Sequence, residues 1–223
     1  VRIRSPRAWA FSLLGIVEYL KVFGQEEPVK GAAATVAQKL VTLFRRTATA
    51  KWGWFEDRLT YSNAILPAAL FAAYGCLGRR ELLEVAEESL AFLTRVQWRG
   101  KYFKLVGCHG WYVKGGEQAL WDEQPEDAGC LVLAYSRAYY ATGNAAYVNY
   151  AQAAMDWFFG RNVNGLPLLD SASGGCCDGL TAQGINANQG AESLLAYLVS
   201  RLEMAALAVR AKEPALVSGA SIN

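Results

Sequence analysis

The sequence predicts an all-α fold built from helical hairpins, and three observations predict it. Apolar residues recur at three- and four-residue steps along most of the 223 residues, glycine-containing breaks separate those runs, and three polar clusters return at a constant interval. Trp9, Leu13, Ile16, Leu20 and Phe23 mark a first helix over residues 7–23. Val36, Leu40, Leu43 and Phe44 mark a second, so the two form a hairpin around residues 24–28. Further helices are expected over 58–76, 80–98, 125–141, 145–159 and 189–211, with Gly78, Gly143-Asn144 and Gly160 as stops.

Between the hairpins lie two long glycine-rich, aromatic segments, 98–121 and 160–188, and a small β-hairpin is expected around 102–113. Long connections of this kind tend to carry function. The polar clusters Glu56-Asp57, Asp122-Glu123-Gln124 and Asn188-Gln189 precede the third, fifth and seventh helices, at 66-residue steps. A repeat of two antiparallel helices returns the chain to one side each time, so the three clusters should share a rim. Helices one, three, five and seven then form a parallel set with two, four and six outside it, the arrangement of an α/α toroid. Six pairs close such a ring. About seven helices make a partial one, which is open, completed by another chain, or cut from a longer protein.

With 53% hydrophobic residues, residues 1–223 have material for one core and read as a single domain, a fragment of a longer chain being the alternative. The chain begins at Val1 without a signal-type apolar region, so it is either processed or a piece. A net charge of +2 and no basic run beyond two residues argue against a nucleic-acid partner. The longest uncharged stretch, 59–78, carries Tyr61, Ser62, Asn63 and Pro67, so it reads as a buried helix and a membrane span is not expected. Five cysteines without CxxC spacing fit a reducing compartment, and a cytoplasmic location is expected.

The rim clusters carry the chemistry. Trp52, Trp54, Phe55 and Tyr61 surround Glu56 and Asp57, and flat aromatic faces suit sugar rings; core packing for the aromatics and helix capping for Asp57 are the plainer alternatives. In the second cluster, Glu126 sits at the start of an otherwise apolar helix. A carboxyl drawn toward the interior there would have the raised pKa a general acid needs, whereas a solvated, highly charged helix start would need no such role. Trp111, Asp122 and Gln124 flank it. In the third, Asp178, Asn188, Gln189 and Glu192 offer hydrogen-bonding groups for hydroxyls, with capping and close packing of the last helix as the alternative. No phosphate-cradling glycine motif, zinc spacing or second histidine accompanies His109, so no cofactor or metal is expected.

Four segments, WGWFEDRLTYSNAILPAAL, GCHGWYVKGGEQALWDEQPEDAG, WFFGRN and GGCCDGLTAQGINANQGAES, resemble a family of six-hairpin α/α-toroid glycosidase-like proteins often associated with glycosyltransferases and mannoside phosphorylases. The resemblance spans residues 52–198. It implies that Glu56, Asp57, Glu126, Asp178, Asn188, Gln189 and Glu192 line the sugar-binding end of the barrel. It also implies an oligosaccharide ligand and a glycosyltransferase or phosphorylase partner. Glu123 and Asp127 depart from the Gln and apolar residue expected at those places.

The reading that follows is a carbohydrate-active protein, an inverting glycoside hydrolase in its sharpest form. Its catalytic candidates are Glu126 as acid and Asp57 or Glu56 as base. Trp54, Tyr61, Asn63, Trp111, Asp122, Gln124, Asp178, Asn188, Gln189 and Glu192 would hold the substrate. The alternative is a non-catalytic glycan-binding or accessory module. A sugar epimerase or isomerase ranks last, because toroids of that activity are expected to use paired histidines.

Overall fold

A computed structural model of the chain describes residues 3–24 and 26–211. The turn expected at 24–28 and the domain expected over 1–223 therefore include positions outside the described residues. The helices are α1 (Pro6–Phe23), α2 (Glu27–Thr47), α3 (Ile65–Leu77), α4 (Arg80–Gln97), α5 (Pro125–Thr142), α6 (Ala146–Asp156) and α7 (Ala191–Arg210), with a 3-10 turn at Trp157–Phe159. Local chemistry sets their ends. Ser5 accepts from the Ala8 amide ahead of Pro6, Pro125 opens α5, and Gly78 and Gly143 end α3 and α5 in the left-handed region that favours glycine.

Helices α1, α3, α5 and α7 pack in that order as one row, and α2, α4 and α6 pack on the first, second and third of them as the return arms. This is the toroidal arc expected from the hairpin repeat. Nine consecutive residues of α3, from Ile65 to Ala73, are buried, as befits a helix enclosed on all sides. Each fully buried Leu or Phe there contributes about 1.5–3 kcal/mol relative to exposure. At α5 and α7 the backbones come close: a Cβ on Gly129 would stand 3.2 Å from both the Ala196 carbonyl and the Ser200 hydroxyl. The two ends of the row are less covered, with Phe11, Val22 and Phe23 exposed on α1 and Leu195, Leu198, Val199 and Leu202 exposed on α7.

Three expectations are corrected. The third helix begins at 65 and not at 58, because Arg58–Leu59 forms strand β1 and residues 60–63 turn around the Asn63 side chain, which bonds both the Thr60 amide and carbonyl. No hairpin forms over 102–113; Phe103 bridges back to Trp98, and Tyr112–Val113, strand β2, pairs antiparallel with β1. The local hairpin is instead β3 (Gly179–Thr181) with β4 (Gly184–Asn186). Finally, α7 starts at 191, since Asn188 and Gln189 belong to the loop that caps it.

Candidate active site

The N-terminal ends of the inner helices meet on one face, and a network of charges joins them. Arg7, buried on the first turn of α1, donates to Glu56 at 2.7 Å, to the Tyr61 carbonyl at 2.6 Å and to the Asn63 side chain at 3.3 Å. Ser62, held at φ +45°, turns its amide and its hydroxyl onto the Glu126 carboxylate at the start of α5. The Cys130 thiol, one turn further along, donates to the same carboxylate at 3.1 Å. Asn63 extends the link by donating its amide to Asp127 at 3.4 Å. The first two rim clusters are thus a single unit.

Within this unit the carboxyl groups differ. Glu126 is half-buried and reaches the surface; Asp127 is buried, and burial first, then the neighbouring charge of Glu126, lifts its carboxyl well above the usual range. The same burial and the same neighbour push the Cys130 thiol up, so it remains a donor. Glu56 is engaged by Arg7. Asp57 is exposed; its carboxylate pairs with the adjacent Arg58 at 3.1 Å, and its carbonyl accepts from the Lys114 amide at 2.8 Å.

Trp54 is not a sugar platform. It is completely buried, its ring edge-on to Phe55 at 5.2 Å, because residues 52–55 plunge into the core beneath α4. Asn63 is also buried and holds the 60–63 turn. The accessible aromatics are Tyr61 and Trp111, whose ring centroids lie 6.3 Å apart because β1 and β2 run side by side just beneath them. Arg7 also stacks on Tyr61, 4.9 Å from its centroid.

The third cluster reaches the same face through β3, where Leu180 exchanges both backbone hydrogen bonds with Glu123. Its acids are used internally. Asp178 accepts from the Gly190 amide at 2.8 Å, from the Ser193 hydroxyl at 2.6 Å and from Asn188; burial opposes its charge, but these donors together hold its carboxyl below the usual range. It therefore caps α7 from outside. Gln189 is tied to Asp170 at 3.1 Å and accepts from Ser173 at 2.9 Å, while Glu192 is exposed on the first turn of α7. Gln124 occupies the cap position of α5 without a side-chain capping bond, and Asp122 stands half-buried beside His109.

Glu123, which the sequence placed in the second rim cluster without a role, is an internal anchor of this face. Glu123 is completely buried and accepts from Lys104 at 2.6 Å, from the Leu105 amide at 3.0 Å and from the Trp157 indole at 3.1 Å. It anchors the long 98–121 segment under the rim. Its alternation with the accessible Asp122 and Gln124 was the available signal.

A groove of about 560 Å³ runs along α2 between Trp9, Gln38, Lys39, Arg46 and Arg79, and includes none of the rim residues. On the rim itself Asp57, Tyr61, His109 and Glu192 are exposed to solvent. No helix among the described residues is long and apolar enough to cross a membrane.

No family model and no curated protein matches the sequence. Solved structures do match the fold. A glycoside hydrolase family 76 mannosidase from Bacteroides thetaiotaomicron superposes with a TM-score of 0.60 at 14% identity, over 92% of this chain and 59% of its own. A sugar epimerase from a ruminal bacterium gives 0.67 at 14% identity over 95% and 55%, and a D-mannose isomerase 0.57 at 13% over 92% and 58%. The fold is the six-hairpin glycosidase-like toroid. The chain spans little more than half the length of these neighbours.

Proposed function

We propose that this chain belongs to a carbohydrate-processing enzyme of glycosidase type, working by carboxylate acid–base chemistry on an oligosaccharide at the rim. The observation that carries the reading is the unit formed by Glu126, Ser62, Arg7 and Glu56, placed beside the Tyr61–Trp111 aromatic pair at the N-terminal ends of the inner helices. Acids and flat rings at one mouth are what hydrolysis of a glycosidic bond needs. The mannosidase among the structural neighbours makes mannosides the first substrates to try.

In this reading Glu126 is the acid. It is the one carboxyl of the α5 turn that reaches solvent, and its neighbour Asp127 is too deeply buried to touch a sugar. Asp57 serves as the base: its carboxylate is exposed, whereas Glu56 is held by a buried guanidinium and acts on the site through Arg7. Tyr61 and Trp111 supply the stacking surface, and Asp122, Gln124 and Glu192 supply hydrogen bonds to hydroxyls. Asp178, Asn188 and Gln189 shape the loop behind them.

The test is release of reducing sugar from α- and β-linked mannooligosaccharides by the full chain, compared with Glu126→Gln and Asp57→Asn. Loss of at least about 100-fold in kcat for either variant, as expected for a general acid or base, supports the assignment; full activity in both overturns it. A second reading, a glycan-binding module that needs no opposed acids, is favoured by the number of rim acids engaged internally, Glu56, Asp127 and Asp178. Saturable binding of an oligosaccharide that is never cleaved selects that reading.

A further inference from the structure

Beyond the carboxylate network, one cluster on the 98–121 segment has a different chemistry. Cys108, His109 and Asp122 each offer one donor atom, and the three atoms lie within 4.8 Å of one another; His109 Nε2 is 3.8 Å from Asp122 Oδ2. We propose that these three side chains form a binding site for a divalent transition metal of the zinc class, with the remaining coordination position open.

The backbone fixes this arrangement. The Cys108 amide donates to the Asp122 carbonyl and the His109 amide to the Trp121 carbonyl, both at 2.9 Å, so residues 107–109 and 121–122 run as a bonded pair. The pairing demands glycine at 107, where any Cβ would overlap the Trp121 backbone. Two segments are therefore locked in one register, and that register puts a thiol, an imidazole and a carboxylate on a common point.

The donor set selects the ion. Thiolate and imidazole favour zinc-class metals, whereas calcium and magnesium take oxygen ligands. Zinc bonds of roughly 2.0–2.3 Å place tetrahedral donors about 3.5 Å apart, so closing the site requires side-chain movements on the order of 1 Å. Three protein ligands leave the fourth position for water or a ligand oxygen, and the His109 side chain, 74% exposed, keeps the site open to solvent. On binding, the Cys108 S–H bond breaks as the sulfur–metal bond forms, and the proton leaves to solvent. Cys108 forms no disulfide, which leaves its sulfur available.

The test uses Co2+ and Zn2+ alone, on the reduced full chain, and reads no sugar turnover, so it stands apart from the proposed function. One Co2+ per chain should bind with a near-ultraviolet thiolate-to-cobalt band, and Zn2+ should displace it. Cys108→Ser should abolish the band, and His109→Ala and Asp122→Asn should each weaken Zn2+ by more than about 100-fold, beyond the 10–100-fold that outer-shell partners carry; Cys177→Ser should bind as the native chain does. Should a ligand variant fail to fold, Zn2+ protection of Cys108 against iodoacetamide in the native chain supplies the same readout. A band that persists in Cys108→Ser, Cys108 alkylated equally with and without Zn2+, or no thiolate band at any ratio overturns the site.

Discussion

Ser62 and Glu126, sixty-four positions apart, are joined twice: the Ser62 amide donates to Oε2 at 3.1 Å and its hydroxyl donates to Oε1. The bond pair couples the loop before α3 to the first turn of α5, and it requires the left-handed backbone at Ser62. Ser62→Ala keeps the strained φ and loses the hydroxyl, so it should destabilise the fold by about 2 kcal/mol, the range for a hydrogen bond to a charged group. Ser62→Gly loses the same bond but relieves the backbone, and should retain about 1 kcal/mol more than the alanine variant. Urea unfolding measures both; a glycine variant weaker than the alanine one would contradict this account.

The Arg7–Glu56 pair predicts a non-additive result. Arg7→Met leaves the Glu56 carboxylate and the Tyr61 carbonyl without the guanidinium, and the Asn63 oxygen with the Thr60 amide alone. Breaking a buried pair costs about 3–5 kcal/mol, and Glu56, one quarter exposed, places this case near the lower bound. Adding Glu56→Leu removes the stranded charge, so the double variant should recover at least about 1 kcal/mol of that loss. A double-variant cycle in denaturant checks it, and strict additivity would show that no coupling exists.

Asp127 gives a pH-dependent prediction. Its folded-state carboxyl is raised, by burial and then by Glu126, above the ordinary value of 3.8. Below 3.8 both folded and unfolded chains carry the proton and nothing is lost. As pH rises through the window above 3.8, the unfolded chain releases a proton that the folded chain keeps, so stability falls until the folded group itself ionises. Asp127→Asn cannot titrate and can still accept from the Asn63 amide. It should therefore be more stable than the native chain at pH 7, with the difference vanishing below pH 3.8. Thermal melts across pH would reveal the opposite trend if Asp127 were instead held charged.

The repeat of helical hairpins and the shared rim were legible because both rest on spacing: 3.6-residue apolar periodicity sets each helix, and equal intervals return Glu56 and Asp122 to one face. What spacing does not encode is which side of a loop faces inward. Trp54 and Tyr61 look alike in sequence, yet Trp54 packs into the core against Phe55 and Phe92 while Tyr61 stays exposed at the 60–63 turn. Similarly, Asp122 and Glu123 are adjacent acids whose fates separate only because Lys104, nineteen positions away, comes back under the rim to meet Glu123. The Cys108–His109–Asp122 grouping has no motif spacing either, since it arises from the pairing of two loop segments.

The aromatic pair provides the sharpest separation of site from core. Tyr61 and Trp111 stand on the accessible face, so truncating either to alanine should remove sugar-ring contact while leaving the core intact; a loss of about 1–2 kcal/mol of binding, a factor of 5–30 in Kd, is expected for each. Trp54 should behave in the opposite way. It fills the core, and its indole N–H is buried with no hydrogen-bond partner among the described residues. Trp54→Phe removes that stranded donor while giving up volume, two effects of opposite sign, so the net change should stay below about 2 kcal/mol, with Kd for the oligosaccharide unchanged. Trp54→Ala adds a large cavity and should cost about 3–5 kcal/mol. Calorimetric titration of an oligosaccharide, paired with denaturant unfolding of the same variants, tests the division: affinity lost in Trp54→Phe and kept in Trp111→Ala would move the sugar to another face.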